Sequence, residues 1–309
     1  MQITRYVAPF NCEGMLSLLE NAFGSEEAAL EKPQLDGSET EYNSDIVYIA
    51  HENEKVLGTI HATIPHAWPK IAGLSGMVTA PEARGTGLGR KLFGEIVKDI
   101  DSLGVETTFL GTSNPIAQKL YSSFGFSYLF GSCVMTRTVK GGFVDFDREA
   151  YGEASKNITV REGAPDMRIP IIPLTLQRTK QILLDCNTGL INCNFMTQCS
   201  CMGLFPKYMD LKSKGGSFFG AYSDSGVLGA VASVIPTDDG MRCDFFYADN
   251  FESAVAPLLN ACRESVGEVY FQIANGDVKS NLVKEFGAVA RSELFYEHKG
   301  FLIPCVKYV

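Results

Sequence analysis

The stretch Met77-Val78-Thr79-Ala80-Pro81-Glu82-Ala83-Arg84-Gly85-Thr86-Gly87-Leu88-Gly89-Arg90 decides the fold. It ends an apolar run, Ile71 to Thr79, that has strand character. It opens a segment in which Leu88, Leu92, Phe93, Ile96, Val97 and Ile100 recur at helical spacing, with Gly104 just beyond. The glycines therefore occupy a strand-to-helix turn. Such a turn offers backbone N–H groups and the positive end of a helix dipole to an anion. Two common phosphate loops do not fit. GxxxxGK[ST] requires a hydroxyl after its lysine, and here Leu92 follows Lys91; GxGxxG does not match glycines that run GxGxG.

Upstream of the turn, Ile3 to Ala8 reads as a strand, and Met15 to Phe23 as an amphipathic helix ending at Gly24. An acidic helix-loop stretch follows. Ile46 to His51 and Val56 to Ile64 flank the polar turn Glu52-Asn53-Glu54-Lys55, which predicts a hairpin. Downstream, Thr107 to Leu110 is a short strand, Asn114 to Ser123 a helix, and Phe126 to Thr138 a β run interrupted near Gly131. Asn114 suits an N-cap and Pro115 the first helical position. Tyr121 lies seven residues on, close to two turns, so both side chains project from one face.

The stretch from Met77 to Arg90 resembles the cofactor motif of the GNAT superfamily of acetyltransferases, R/Q-x-x-G-x-G/A after a β strand. Asn114 to Phe126 resembles the other signature of that family, an Asn opening a helix, a Tyr, and a Gly-Phe entering the next strand. The resemblance covers residues 1–140. It implies an N-acetyltransferase that moves an acetyl group from acetyl-CoA directly to a primary amine, without an acyl-cysteine on a residue such as Cys133. Met77, Val78 and Thr79 would meet the pantetheine arm and acetyl carbonyl. Arg84, Gly85, Thr86, Gly87, Leu88, Gly89 and Arg90 would hold the diphosphate. By the same resemblance Tyr121 protonates the departing thiolate, and Asn114 contacts the cofactor or an ordered water. Gly76 is read as a β-bulge that frees an N–H toward the thioester carbonyl. The carboxylate that many relatives use as a base is missing, since Leu74, Ser75 and Gly76 stand in one place and Phe109, Leu110 and Gly111 in the other. Glu106, His61, His66 or a water relay remain for that task.

The second half repeats the first. Phe218 to Ala230 aligns with Val47 to Thr59, both lead to an Ile-Pro pair, and Leu282 to Ala288 stands for Leu120 to Phe126. Between sheet and helix the second half offers Tyr247-Ala248-Asp249-Asn250-Phe251-Glu252-Ser253, without arginine or glycine. The expected fold is α/β (α+β): two tandem GNAT-like copies, each a mixed, mostly antiparallel sheet flanked by helices. Residues 1–145 are expected to be the catalytic domain and 155–309 a degenerate copy without the cofactor loop. Tandem arrangements with one worn copy also occur in aminoglycoside acetyltransferases of the enhanced-intracellular-survival type and in mycothiol synthase.

A length of 309 residues fits two cores, and 45% hydrophobic with 20% charged residues is globular composition. The net charge is −9, and the first 150 residues carry 12 basic against 19 acidic side chains. That balance argues against nucleic acid, which needs a basic face. Eight carboxylates from Glu20 to Asp45 stand against Lys32 alone. They read either as attraction for a cationic acceptor or as a solvated helix face. No apolar run of about 18 residues and no basic signal start is present, so the expectation is a cytoplasmic monomer or homodimer that does not bind membranes. Nine cysteines, four of them from Cys186 to Cys201, lack CxxC pairs and read as reduced thiols without a metal. The alternative to an enzyme is a non-catalytic protein that binds or senses acetyl-CoA.

Overall fold

Successive side chains along a strand point to opposite faces of its sheet, and in the central strands of the first sheet both faces are apolar and buried against different helices. The structure, a computed structural model, describes the chain apart from residues 130–131, 154–156, 194–195 and 198–200, and only the backbone of 192–193 and 196–197. Two units result. The first is Met1–Phe146 with Cys201 and Met202, and the second is formed by the rest from Asp147 onward.

In the first unit, β1 (Gln2–Val7), α1 (Glu13–Phe23), α2 (Ser25–Leu35), β2 (Asn43–Glu52), β3 (Lys55–Pro65) and β4 (Ile71–Thr79) lead to the glycine turn. Then come α3 (Leu88–Ser102), β5 (Thr107–Gly111), α4 (Pro115–Ser122), β6 (Ser127–Tyr128) and β7 (Val134–Thr138). The seven strands lie in the order β1-β2-β3-β4-β5-β7-β6, and only β4 and β5 run parallel. Ile60, Ala62 and Ile64 of β3 pack in one core with Leu88, Leu92 and Phe93 of α3. Val47 and Ile49 of β2 face the other way, onto Met15, Leu19 and Leu35 of α1 and α2. The β run read from Phe126 to Thr138 is two strands, with the expected break at Gly131 lying outside the described residues.

The second unit begins in α5 (Phe143–Tyr151) and continues with β8 (Ile158–Glu162), α6 (Ile171–Thr175), β9 (Leu183–Asp185), β10 (Leu190–Cys193), β11 (Met196–Thr197) and α7 (Leu204–Ser213). Next are β12 (Ser217–Ser223), β13 (Leu228–Thr237), β14 (Gly240–Tyr247), α8 (Val255–Val266), β15 (Val269–Ala274), α9 (Lys279–Glu285), β16 (Ala290–His298) and β17 (Phe301–Tyr308). Its main sheet has the order β8-β12-β13-β14-β15-β17-β16, strand for strand the order of the first, with β14 and β15 as the parallel pair. The two halves are tandem copies of one fold. An added sheet, β11-β10-β9, occupies part of the stretch that holds α1 and α2 in the first copy. Among the described residues no helix is long and apolar enough to cross a membrane.

Candidate active site

Among the described residues, β4 is paired with β5 at Ile71, Ala72 and Gly73, after which its edge toward β5 meets no strand. Ser75, Gly76, Met77 and Thr79 are accordingly half-exposed, although β4 is the middle strand of the sheet. An unpaired edge is a ready hydrogen-bonding template for an extended ligand. On the β3 side the register runs Thr59↔Val78 and then His61↔Ser75, so Gly76 and Met77 together oppose Ile60. That is the bulge expected at Gly76, whose φ of +57° belongs to the left-handed region. Thr59 Oγ1 fixes it by donating to the Gly76 carbonyl at 2.6 Å.

Beyond β4 the chain makes one 3-10 turn at Pro81–Ala83 and enters the glycine segment. Gly85 and Gly87 have φ of +75° and +83°, and a Cβ at either would meet nothing within 4 Å. Both glycines border open space. Gly87 caps α3 without any side-chain hydrogen bond, which leaves the first N–H groups of that 15-residue helix for a ligand. Gly89 is tighter: an added Cβ would stand 3.2 Å from Met77 Cε. Thr86 Oγ1 donates to the Ala83 carbonyl at 2.7 Å, and Arg84 Nε to the Thr79 carbonyl at 3.2 Å, so two side chains brace the loop from within. Arg90 reaches across to α4, where it donates to Ser123 Oγ at 3.0 Å and lies over Phe124. Open edge, exposed amides and two surface guanidiniums fit a diphosphate with an extended arm.

Asn114 is the N-cap of α4, its Oδ1 accepting from the N–H of Ile116 at 2.9 Å. Tyr121 is buried, with 7% of its surface exposed, and stacks on Phe93 at 4.7 Å between centroids. No described residue hydrogen-bonds its hydroxyl, and burial pushes the phenol up to about 12.

The acidic stretch divides in a way its composition did not reveal. Glu20, Glu26 and Glu41 are exposed, whereas Asp45 is buried, and Glu27 and Glu31 line a cavity of about 340 Å³ with Leu19, Phe23, Ser75 and Gly76. His61 of β3, fully buried, spans this group: Nδ1 lies 2.7 Å from Glu31 Oε2, and Nε2 lies 2.8 Å from Asp45 Oδ1. Ser75 Oγ donates to Glu31 Oε2 at 3.1 Å, and Thr63 Oγ1 lies 2.7 Å from Asp45 Oδ1. Two carboxylate acceptors require both ring nitrogens to donate, which makes the ring an imidazolium. Burial lowers its pKa, but the hydrogen bonds it donates to Asp45 and Glu31, with their negative charge, outweigh burial and lift it from 6.5 to about 9. The signal for this cluster lay in the Thr59-x-His61-x-Thr63 alternation, polar on one face of a strand buried on both.

The other base candidates lie elsewhere. His66 is exposed beyond the end of β3 and bonds Ser44 Oγ at 2.9 Å, while Glu106 pairs with Lys70 at 3.2 Å on the surface. Among the described residues no group of three His, Cys, Asp or Glu side chains is placed to hold a metal ion. Of the cysteine cluster, Cys186 and Cys201 are buried free thiols, and the side chains of Cys193 and Cys199 lie outside the described residues.

The second copy has neither device. β13 and β14 pair in unbroken register from Ala230↔Tyr247 to Thr237↔Gly240, so no bulge interrupts β14. Where the glycine turn would stand, a 3-10 segment, Asp249–Ala254, runs directly into α8. Phe251 fills the gap, its ring so close to Gly229 that a Cβ there would fall 1.8 Å from Phe251 Cδ1. The nearby cavity, about 490 Å³, is lined by Glu252, Glu285, Ser253 and apolar groups, and its two carboxylates would repel a diphosphate.

Residues 13–126 match the family model described as the acetyltransferase (GNAT) family. No curated protein matches the chain. Among solved structures, the chain is similar to an acyl-CoA N-acyltransferase from Pseudomonas aeruginosa, at 17% identity over 44% of this chain and 100% of that one, with a TM-score of 0.36. A GNAT-family acetyltransferase from Staphylococcus aureus gives 19%, 44%, 100% and 0.34 in the same order. A GNAT-family N-acetyltransferase from Escherichia coli in complex with CoA gives 20%, 45%, 82% and 0.35. The match to the acetyltransferase (GNAT) family model, residues 13–126, thus falls within the first of the two copies, the one that carries the bulged strand and the glycine turn.

Proposed function

We propose that the first copy transfers an acetyl group from acetyl-CoA directly to the primary amine of a small, cationic acceptor. The observation that carries this reading is the continuity of the open β4 edge, from Ser75 to Thr79, with the uncapped N-terminus of α3. The diphosphate would take the N–H groups from Gly85 to Arg90, and the pantetheine arm would pair along Met77, Val78 and Thr79. The thioester then ends beside Gly76, where the bulge turns a backbone group toward the carbonyl oxygen on which charge develops. The cavity that opens there is acidic, which suits an ammonium acceptor. Tyr121, reached from α4, would supply the proton to the departing thiolate. Cytoplasmic location and a monomeric or dimeric state complete the proposal.

The test is release of CoA from acetyl-CoA by the full chain against spermidine, kanamycin, L-lysine and a short peptide. Turnover with at least one cationic amine is the expected result. Binding of acetyl-CoA without turnover on any of them would make the protein a CoA binder and overturn the reading.

A further inference from the structure

The reaction needs a group that takes the proton leaving the attacking nitrogen, and neither strand on which relatives carry a carboxylate supplies one here. The cavity beside Gly76 does. We infer that Glu31 of α2 is the general base and amine-binding carboxylate of this enzyme, held in place by the buried His61 and Asp45. The inference rests on the acetyl-transfer reading given above.

Three observations carry it. Glu31 and Gly76 line the same cavity, so the carboxylate stands on the acceptor side of the bulged strand. Its side chain is 15% exposed, enough to meet a ligand, while Oε2 is anchored by His61 at 2.7 Å and Ser75 at 3.1 Å. A carboxylate tied by two hydrogen bonds has one orientation, which is what a base must have to meet a nitrogen held for attack. The third is the layout of the buried group. Of the two carboxylates that flank the imidazolium, Asp45 is sealed in the core and Glu31 lines the cavity, so Glu31 is the one that presents its carboxylate to an acceptor there. Glu27 adds a second carboxylate to its lining.

The chemistry balances as follows. The neutral amine attacks the thioester carbonyl carbon and forms the C–N bond, which makes its nitrogen positive and strongly acidic. One N–H proton passes to the Glu31 carboxylate. The tetrahedral intermediate collapses, the C–S bond breaks, and the thiolate takes a proton from Tyr121. Solvent then removes the proton from Glu31 and restores the one on Tyr121, so that amine and acetyl-CoA give amide and CoA thiol. His61 and Asp45 are positioning residues.

The experiment compares the full wild-type chain with E31Q and H61Q in CoA release from acetyl-CoA with the same four amines, beside acetyl-CoA binding by calorimetry. E31Q should lower kcat by about 100-fold or more and leave acetyl-CoA affinity within about twofold. H61Q should move the acidic limb of the kcat profile to higher pH, because loss of the imidazolium raises the proton affinity of Glu31. Among the described residues, the titratable groups about Glu31 are Glu27 on its own helix, Asp45 on β2 and His61 on β3, while Leu19, Phe23, Ser75, Gly76 and Met202 complete the lining. Wild-type kcat in E31Q, or an unmoved pH limb in a folded, acetyl-CoA-binding H61Q, would overturn the assignment with acetyl transfer intact. Loss of acetyl-CoA binding in E31Q would assign it a structural role and also overturn the proposal. A wild-type chain that binds acetyl-CoA and acetylates none of the amines would instead overturn the function, and the base falls with it.

Discussion

His61 Nδ1 lies 2.7 Å from Glu31 Oε2, across thirty residues of sequence and from the middle of a sheet to the helix that covers it. The histidine is wholly buried, while the glutamate keeps 15% of its side chain exposed and lines the cavity beside Gly76.

Stability should depend on pH through His61. Its folded pKa, about 9, is above the ordinary 6.5, so the folded protein holds a proton that the unfolded chain releases between those values. The contribution is complete below pH 6.5 and is lost as pH rises through about 9. Its size is on the order of 3 kcal/mol. Urea unfolding from pH 6 to pH 10 should show this decline in the wild type and not in H61Q; equal slopes would refute it.

Gly87→Val should weaken acetyl-CoA binding about tenfold or more. Valine at a φ of +83° is strained by about 1–2 kcal/mol, and its methyls would enter the space in front of the α3 amides. Gly104, at the same φ of +83° with open space around it at the far end of α3, provides the control: Gly104→Val should bring comparable strain and leave the affinity alone. Calorimetric titration of both variants distinguishes strain from ligand exclusion.

Tyr121→Phe removes a hydroxyl that no described residue hydrogen-bonds, so thermal stability should change by less than about 0.5 kcal/mol. In turnover, kcat should fall by about 100-fold while acetyl-CoA affinity holds. An unchanged kcat across the pH range would remove Tyr121 from the reaction.

The second copy should answer to mutation as a scaffold. Lys279 Nζ is wholly buried, 2.6 Å from Asp244 Oδ1 and 3.0 Å from the Phe245 carbonyl. Lys279→Ala leaves that carboxylate without its cation, a loss of about 3–5 kcal/mol. Unfolding curves should show a less stable protein whose folded fraction binds acetyl-CoA with wild-type affinity. A matching loss of affinity in the folded protein would place part of the cofactor site in the second copy.

Much of this was legible before any coordinates. Ile71 to Thr79 is β4 to the residue, Gly76 carries the bulge, and the Asn114-Pro115 pair opens α4, because each of these is set by local backbone chemistry. The second copy was visible through Phe218 to Ala230, whose strands pair as their counterparts do. Of the Glu31–His61–Asp45 group, only the polar alternation of β3 around His61 left a trace in the sequence. Its members come from a helix and two strands, and α2 has no clear apolar stripe that would have shown which side of it meets the sheet. The small sheet β11-β10-β9 was missed for a related reason: its strands are two to four residues long, too short for a period to register. Nor did sequence reveal that β14 lacks the bulge, because a bulge is a matter of register and Met241 to Tyr247 reads as any strand.

A crystal structure of the full chain with acetyl-CoA tests the central claim most directly. The account predicts one cofactor per chain, with its diphosphate on the amides of Gly85 to Arg90, its pantetheine along Met77 to Thr79, and its acetyl group facing the cavity of Glu31. A diphosphate bound in the second copy, or an acetyl group turned away from Gly76 and Glu31, would contradict it.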